Sequence, residues 1–201
     1  MKLSKLADIR TGLVVARKKA DKVDINVKTY KLLTLRSFDV DGFVNTAYID
    51  DFVTNQYINN EYITQEGDVV IRLSEPNTAV YIDHSLSGFI IPSLFAVIRL
   101  KSECLSRQYL SWLLNSQHIK REMQKSLIGS AIQIINTGFL QELQIKLIPL
   151  ERQQRIAEMN RFCIREKMLL TRLIKEKETL YKLAMNQIYR EGIKDDFTGK
   201  H

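Results

Sequence analysis

The chain is poor in the residues that punctuate or brace a small fold: its 201 residues include three prolines, eight glycines and two cysteines. So few prolines exclude a long proline-rich linker, and no internal repeat or low-complexity tract is present. Cys104 and Cys163 lie far apart with no CxxC or Cys/His cluster around either, which reads as two free thiols rather than a disulfide or a zinc ribbon. The glycines never fall into G-x-G-x-x-G or G-x-x-x-x-G-K spacing, so neither a dinucleotide-binding loop nor a nucleotide-hydrolysing phosphate loop is encoded. His84, His118 and His201 are isolated, and no H-x-x-x-H pair or G-x-S-x-G elbow occurs. The carboxylates Asp50, Asp51, Glu61, Glu66 and Asp68 could serve a metal-dependent nuclease only with a lysine nearby, and the strand that follows Asp68 has none. No catalytic, cofactor or metal site is expected. No apolar run approaches the roughly 20 residues of a membrane span, and the first residues lack the apolar core of a signal peptide, so no membrane association and a cytoplasmic location are expected.

What the chain does have is basic charge, unevenly placed. The net charge is +7, yet residues 1–36 alone carry ten Lys and Arg against three Asp, whereas residues 37–149 carry eight basic against twelve acidic residues. Such polarisation favours a polyanion, because each phosphate neutralised by a cation releases counterions. Arg10, Arg17, Lys18, Lys19 and Arg36 are the candidate phosphate contacts.

Hydrophobic patterning divides the chain in two. Up to residue 149, short runs rich in Val, Ile, Tyr and Phe predict strands at Tyr30–Leu35, Asp68–Leu73, Ala79–Ile82 and Leu94–Leu100, with strand character again at Ile132–Ile135 and Leu143–Ile148. One helix is predicted over Ser106–Lys125, capped by Ser106, and a helical turn after Asn136-Thr137. Two loops leave these elements with side chains suited to phosphates or base edges: Arg72, Ser74, Asn77 and Thr78 in one, Lys125, Ser130, Gln133 and Asn136 in the other.

From Leu150 to Tyr189 there is no Gly or Pro, and good helix formers dominate. A helix over residues 150–190 would be about 60 Å long, too long to lie wholly on its own domain; residues 191–201 are expected to form a flexible tail. With Ile156 at heptad position a, the a and d positions include Ile156, Met159, Cys163, Leu170, Leu173, Leu180 and Ala184, interrupted by Glu166, Lys177 and Gln187. Ile174, Tyr181 and Ile188 widen the stripe. These residues predict packing against a partner helix.

Read in order, several segments resemble the specificity subunit of Type I restriction-modification systems. They are the opening Lys5-Leu6-Ala7-Asp8-Ile9 followed by Thr11-Gly12, the run Gly67–Arg72 (GDVVIR), the helix Tyr109–Ser116 (YLSWLLNS), the loop Gly129–Ile132, and the junction Ile148–Ile156 (IPLERQQRI). The junction has one proline fewer than the family pattern, and Gln153 or Gln154 supplies its glutamine. The resemblance implies an α+β fold with a mixed sheet, a target-recognition domain at 1–149, and a long helix at 150–190 that pairs as an antiparallel coiled coil. It also implies a non-catalytic role: binding double-stranded DNA at a bipartite site and directing methyltransferase subunits and a restriction subunit to it. The family subunit has two recognition domains and two helices, so this chain looks like half of one and is expected to form a homodimer or to pair with a second half. The alternative is a coiled-coil interaction scaffold without specific DNA binding; an enzyme would need a cofactor loop or N/D-P-P-Y-type motif, which is absent.

Overall fold

The computed structural model describes residues 1–18, 27–128 and 133–198, with side chains described as far as residue 193. Its strands are β1 (Ala7–Thr11), β2 (Lys28–Leu32), β3 (Asp50–Thr54), β4 (Val69–Arg72), β5 (Ala79–Tyr81) and β6 (Phe95–Leu100). Its helices are α1 (Arg107–Asn115), α2 (Gln117–Ser126), α3 (Thr137–Glu142) and α4 (Leu150–Thr198). The class is α+β. Two compact units are distinguished, Met1–Asn160 and Arg161–His201.

The first unit is built on a four-stranded sheet of order β1-β6-β4-β5, joined by antiparallel ladders. A two-stranded antiparallel sheet, β2-β3, accompanies it. Parallel pairing, expected of a mixed sheet, is confined among the described residues to isolated bridges at Leu13/Pro92 and Leu32/Ile90. The sheet is covered on both faces, which is why β4 reads as an unbroken apolar run rather than an alternating one. Val69 and Ile71 face a core shared with Leu110 and Leu114 of α1, Ile119 and Met123 of α2, Leu140 of α3 and Ala157 of α4. Val70 packs on the opposite side with Leu33, Phe38, Val80, Phe95 and Val97, and the Phe38 and Phe95 ring centroids are 4.6 Å apart. A third cluster, Leu13, Phe52, Ile58 and Ile90, anchors the two-stranded sheet.

Three boundaries differ from the sequence reading. The helix predicted over Ser106–Lys125 is broken at Ser116, whose extended backbone ends α1 and whose hydroxyl caps α2 through the Ile119 amide. The segments near Ile134 and Gln144 form single bridges, to Ser74 and Lys2, instead of strands. The long helix continues to Thr198, so most of the expected tail is helical and α4, at 49 residues, is about 73 Å long. Among the described residues no helix is long and apolar enough to cross a membrane.

Candidate nucleic-acid interface

The end of the main sheet at which β6 begins gathers most of the candidate DNA contacts. Phe95, the first residue of β6, accepts a 2.9 Å hydrogen bond from Gly12 and lies opposite Arg72 in the ladder. Gly12 follows β1 in close quarters: a Cβ there would meet the carbonyl oxygens of Pro92 and Ile91 at 2.2 and 2.3 Å, so a larger residue would force the strands apart. Beyond it the chain bridges Pro92 through Leu13 and turns through Val15–Arg17, leaving Arg17 exposed and Lys18 half-buried. Among the described residues neither has an ion-pair partner. Arg36 is exposed in the turn Leu35–Ser37, its guanidinium 5.8 Å from the centroid of the Tyr48 ring. Arg72 donates to the Leu35 carbonyl at 3.3 Å, tying that turn to the end of β4. Arg10 lies on β1 but pairs with Glu61 at 2.6 Å, so its charge is already answered. Lys19 and Ser130 lie outside the described residues.

The two candidate readout loops come together here. Ser74 bridges Ile134, and the Ile135 amide donates to the Leu73 carbonyl at 2.9 Å. Within the first loop, however, the expected assignment is corrected. Asn77 is buried with a positive φ of 52°, and its Nδ2 donates to the Leu73 carbonyl at 2.7 Å, so the amide closes the turn and cannot reach a base. Thr78 is fully buried, its hydroxyl without a hydrogen-bond partner among the described residues. Arg72 donates to Ser74 Oγ at 3.0 Å, so both side chains are engaged within the loop. In the second loop Gln133 and Asn136 are exposed, but Asn136 Oδ1 caps α3 by accepting from the Phe139 amide at 2.8 Å. Lys125 stands exposed in the last turn of α2.

Two residues absent from the sequence reading, Lys120 and Asn115, hold this arrangement, and Gln153, one of the two junction glutamines, fixes the start of α4. Lys120 of α2 donates through Nζ to the Pro76 carbonyl and, at 2.6 Å, to that of Asn77. Burial pushes its ammonium down to about 8. Asn115 of α1 brackets the strand leaving the loop, accepting from the Ala79 amide at 2.9 Å and donating to the Ala79 carbonyl at 2.6 Å. Gln153, in the first turn of α4, is fully buried. It donates to the Cys104 and Ile148 carbonyls at 2.9 and 2.8 Å and accepts from the Ser106 amide at 2.8 Å. The junction's two glutamines are therefore distinct, since Gln154 is exposed. The signal was periodicity: Gln153 stands one helical turn before buried Ala157. No comparable pattern marks Lys120 or Asn115.

On α4, Ile156 packs half-buried against the first unit's core, so it is not available to a partner helix as expected. From Met159 onward the stripe is exposed: Met159, Cys163, Leu170, Leu173, Leu180, Ala184 and Ile188 all stand in solvent. Among the described residues no group of three or more His, Cys, Asp or Glu is placed to hold a metal ion. Asp68 is instead gripped by Arg99, at 2.9 and 3.1 Å.

A family model, the Type I restriction modification DNA specificity domain, matches residues 1–176. The chain belongs to this family. Similar to it is the Type I restriction enzyme MjaVIII specificity subunit of Methanocaldococcus jannaschii, 31% identical over 114 residues, which span 53% of this chain and 27% of the relative. Among solved structures, the HsdS subunit from Thermoanaerobacter tengcongensis shares the fold with a TM-score of 0.60 at 18% identity, over 92% of this chain and 46% of that one. The S subunit from M. genitalium does so at 0.51 and 9% identity, over 83% and 38%. The chain thus spans less than half the length of the specificity subunits it matches. The sheet end and its two loops combine Arg17, Lys18 and Arg36, which have no carboxylate partner among the described residues, with the exposed Gln133 and Asn136.

Proposed function

We propose that residues 1–149 recognise a specific sequence in double-stranded DNA, and that the chain, without catalytic activity of its own, directs methyltransferase and restriction subunits to a bipartite site in the cytoplasm. The observation that carries this reading is the sheet end where Arg17, Lys18 and Arg36 lie without carboxylate partners among the described residues, the turn of Arg36 tied through Arg72 to the loops joined at Ser74 and Ile134. Cations there position the duplex through phosphates, and the loops supply the sequence-dependent part of binding. The apolar stripe of α4 pairs antiparallel with the same stripe of a second copy, since no other helix among the described residues covers it. Antiparallel pairing relates two identical recognition domains by a twofold axis, so the half-sites are inverted copies.

The test is duplex binding as a function of salt. Changing Arg17, Lys18 and Lys19 together to alanine should weaken binding to every sequence and lower the log–log salt slope by about 2 to 3, at about 0.9 for each phosphate left without its cation. An unchanged slope would reduce the cluster to a solvated surface and favour a scaffold without DNA affinity.

A further inference from the structure

The loop between β4 and β5 is held more firmly than a surface turn requires. Its two sides are fixed by backbone pairing, the Arg72 amide donating to the Thr78 carbonyl at 2.9 Å and the Asn77 amide to that of Ser74 at 2.9 Å. Asn77 fills its interior. From outside the loop, Lys120 takes the carbonyls of Pro76 and Asn77, while Asn115 and Ser111 hold Ala79 immediately after it. Lys120 does this at a cost. Its ammonium is partly withdrawn from water with no carboxylate among its described partners, and an unpaired charge is costly to bury. A lysine turned outward from α2 would avoid that cost and add to the surface charge. The clamp fixes a backbone whose remaining outward side chain is Glu75, exposed at the tip and without an ion-pair partner among the described residues.

A lone carboxylate on a DNA-facing surface is repelled by phosphates and makes sense only where it accepts from a hydrogen-bond donor. In a major groove that donor is an exocyclic amino group, cytosine N4 or adenine N6. We infer that Glu75 reads such an amino group and that Lys120, through the Pro76 and Asn77 carbonyls, is the positioning residue that presents it. The inference rests on the DNA-recognition reading above. The carbonyl clamp sets the direction of the Glu75 Cα–Cβ bond, and a directional hydrogen bond to one base edge tolerates little misplacement.

A double-mutant cycle on the full chain tests this, with duplexes chosen by binding-site selection against the wild type. Glu75→Ala should lower discrimination at one base pair by roughly tenfold, within the range expected of one direct base-edge interaction. Lys120→Met should lower discrimination at that same base pair, and the double variant should lose no more than the larger single effect. The salt slope should stay at its wild-type value in both, and Lys120→Arg, which keeps a cationic donor, should recover part of the preference. Lys120→Gln, which keeps a donor without charge, replaces Lys120→Met if the latter does not fold, as judged by circular dichroism. A salt slope lowered by about one in the Lys120 variants would make Lys120 a direct phosphate ligand and overturn the inference. So would additive losses at different base pairs, or an unmoved preference. A wild-type chain with no salt-dependent duplex affinity overturns the functional reading along with it, whereas wild-type affinity with unmoved preference overturns this inference and leaves that reading standing.

Discussion

Leu110 and Leu114 on α1 are fully buried, whereas Leu170 and Leu173 on α4 keep 53% and 47% of their surface. All four are leucines at helical spacing on the apolar side of their helix. The difference lies in what each helix has to pack against: α1 has the sheet, while the stretch of α4 beyond Asn160 has, among the described residues, no element of its own unit to cover it. Burial of a side chain as large as leucine is worth about 1.5 to 3 kcal/mol, so the second unit exposes a driving force that the first has already used. The strongest way to break the comparison is to change Leu170 and Leu173 together to aspartate. In a twofold pair this removes four leucines and places four charges in the seam. The variant should be monomeric by light scattering and should lose at least about a hundredfold in affinity for a bipartite duplex, with its thermal unfolding unchanged in the first unit. Leu110→Ala should do the opposite, destabilising the first unit by about 2 to 5 kcal/mol with no direct effect on self-association. A wild-type chain that is already monomeric would sink the pairing.

Where α4 begins, the contrast reverses, because its first turns belong to the core. Gln153→Ala would leave the Ser106 amide and the Cys104 and Ile148 carbonyls short of a partner. At about 1 to 3 kcal/mol for each buried group left unsatisfied, partly offset by relaxation, a loss of about 2 to 4 kcal/mol in urea unfolding is expected. Gln154→Ala, one residue on and exposed, should stay within about 0.5 kcal/mol. Equal effects would mean that the polar lock contributes nothing and that helix propensity alone decides the junction.

The sequence reading succeeded where burial leaves a one-dimensional trace. β4 and β6 are apolar on both faces and stood out as runs; α4 stood out by its length and its lack of Gly and Pro. β1 and β3 escaped because Asp8, Arg10, Asp50 and Asp51 break their pattern, and only alternate residues such as Ala7, Ile9 and Phe52 face inward. The helix over 106–125 looked continuous because neither Asn115 nor Ser116 is a strong breaker; the break comes with Ser116 turning extended to cap α2 and with Asn115 reaching Ala79 across 36 residues. The site was legible as charge and as loops, but not as orientation. Asn77 and Ser74 have the same chemical claim to a base edge, and both are taken up inside a turn whose geometry is enforced by a lysine 43 residues from Asn77. No local pattern records such a partner.

The finest distinction between the two regions is in their cations. Arg172 of the second unit meets Glu176 one turn away in open solvent, whereas Lys120 of the first places its head among backbone carbonyls. Burial holds the native Lys120 at about 8, against its ordinary 10.5. Between those values the unfolded chain still carries a proton that the native chain has released, so stability rises with pH across that interval; below 8 both forms are charged and the group contributes no slope. Tyr81 and Tyr109, pushed up by burial, act in the opposite direction once pH passes the ordinary phenol value of 10.0, which confines a clean test to the lower part of the interval. The urea midpoint of the wild type should therefore gain on that of Lys120→Met as pH is raised from about 7.5 to about 9.5, below the range in which the tyrosines enter and with every other group common to the two proteins. The effect is small, because the head group is partly solvated. Parallel pH profiles for the two proteins would show that Lys120 keeps its ordinary proton affinity, and hence that its hold on the loop is open to water rather than closed.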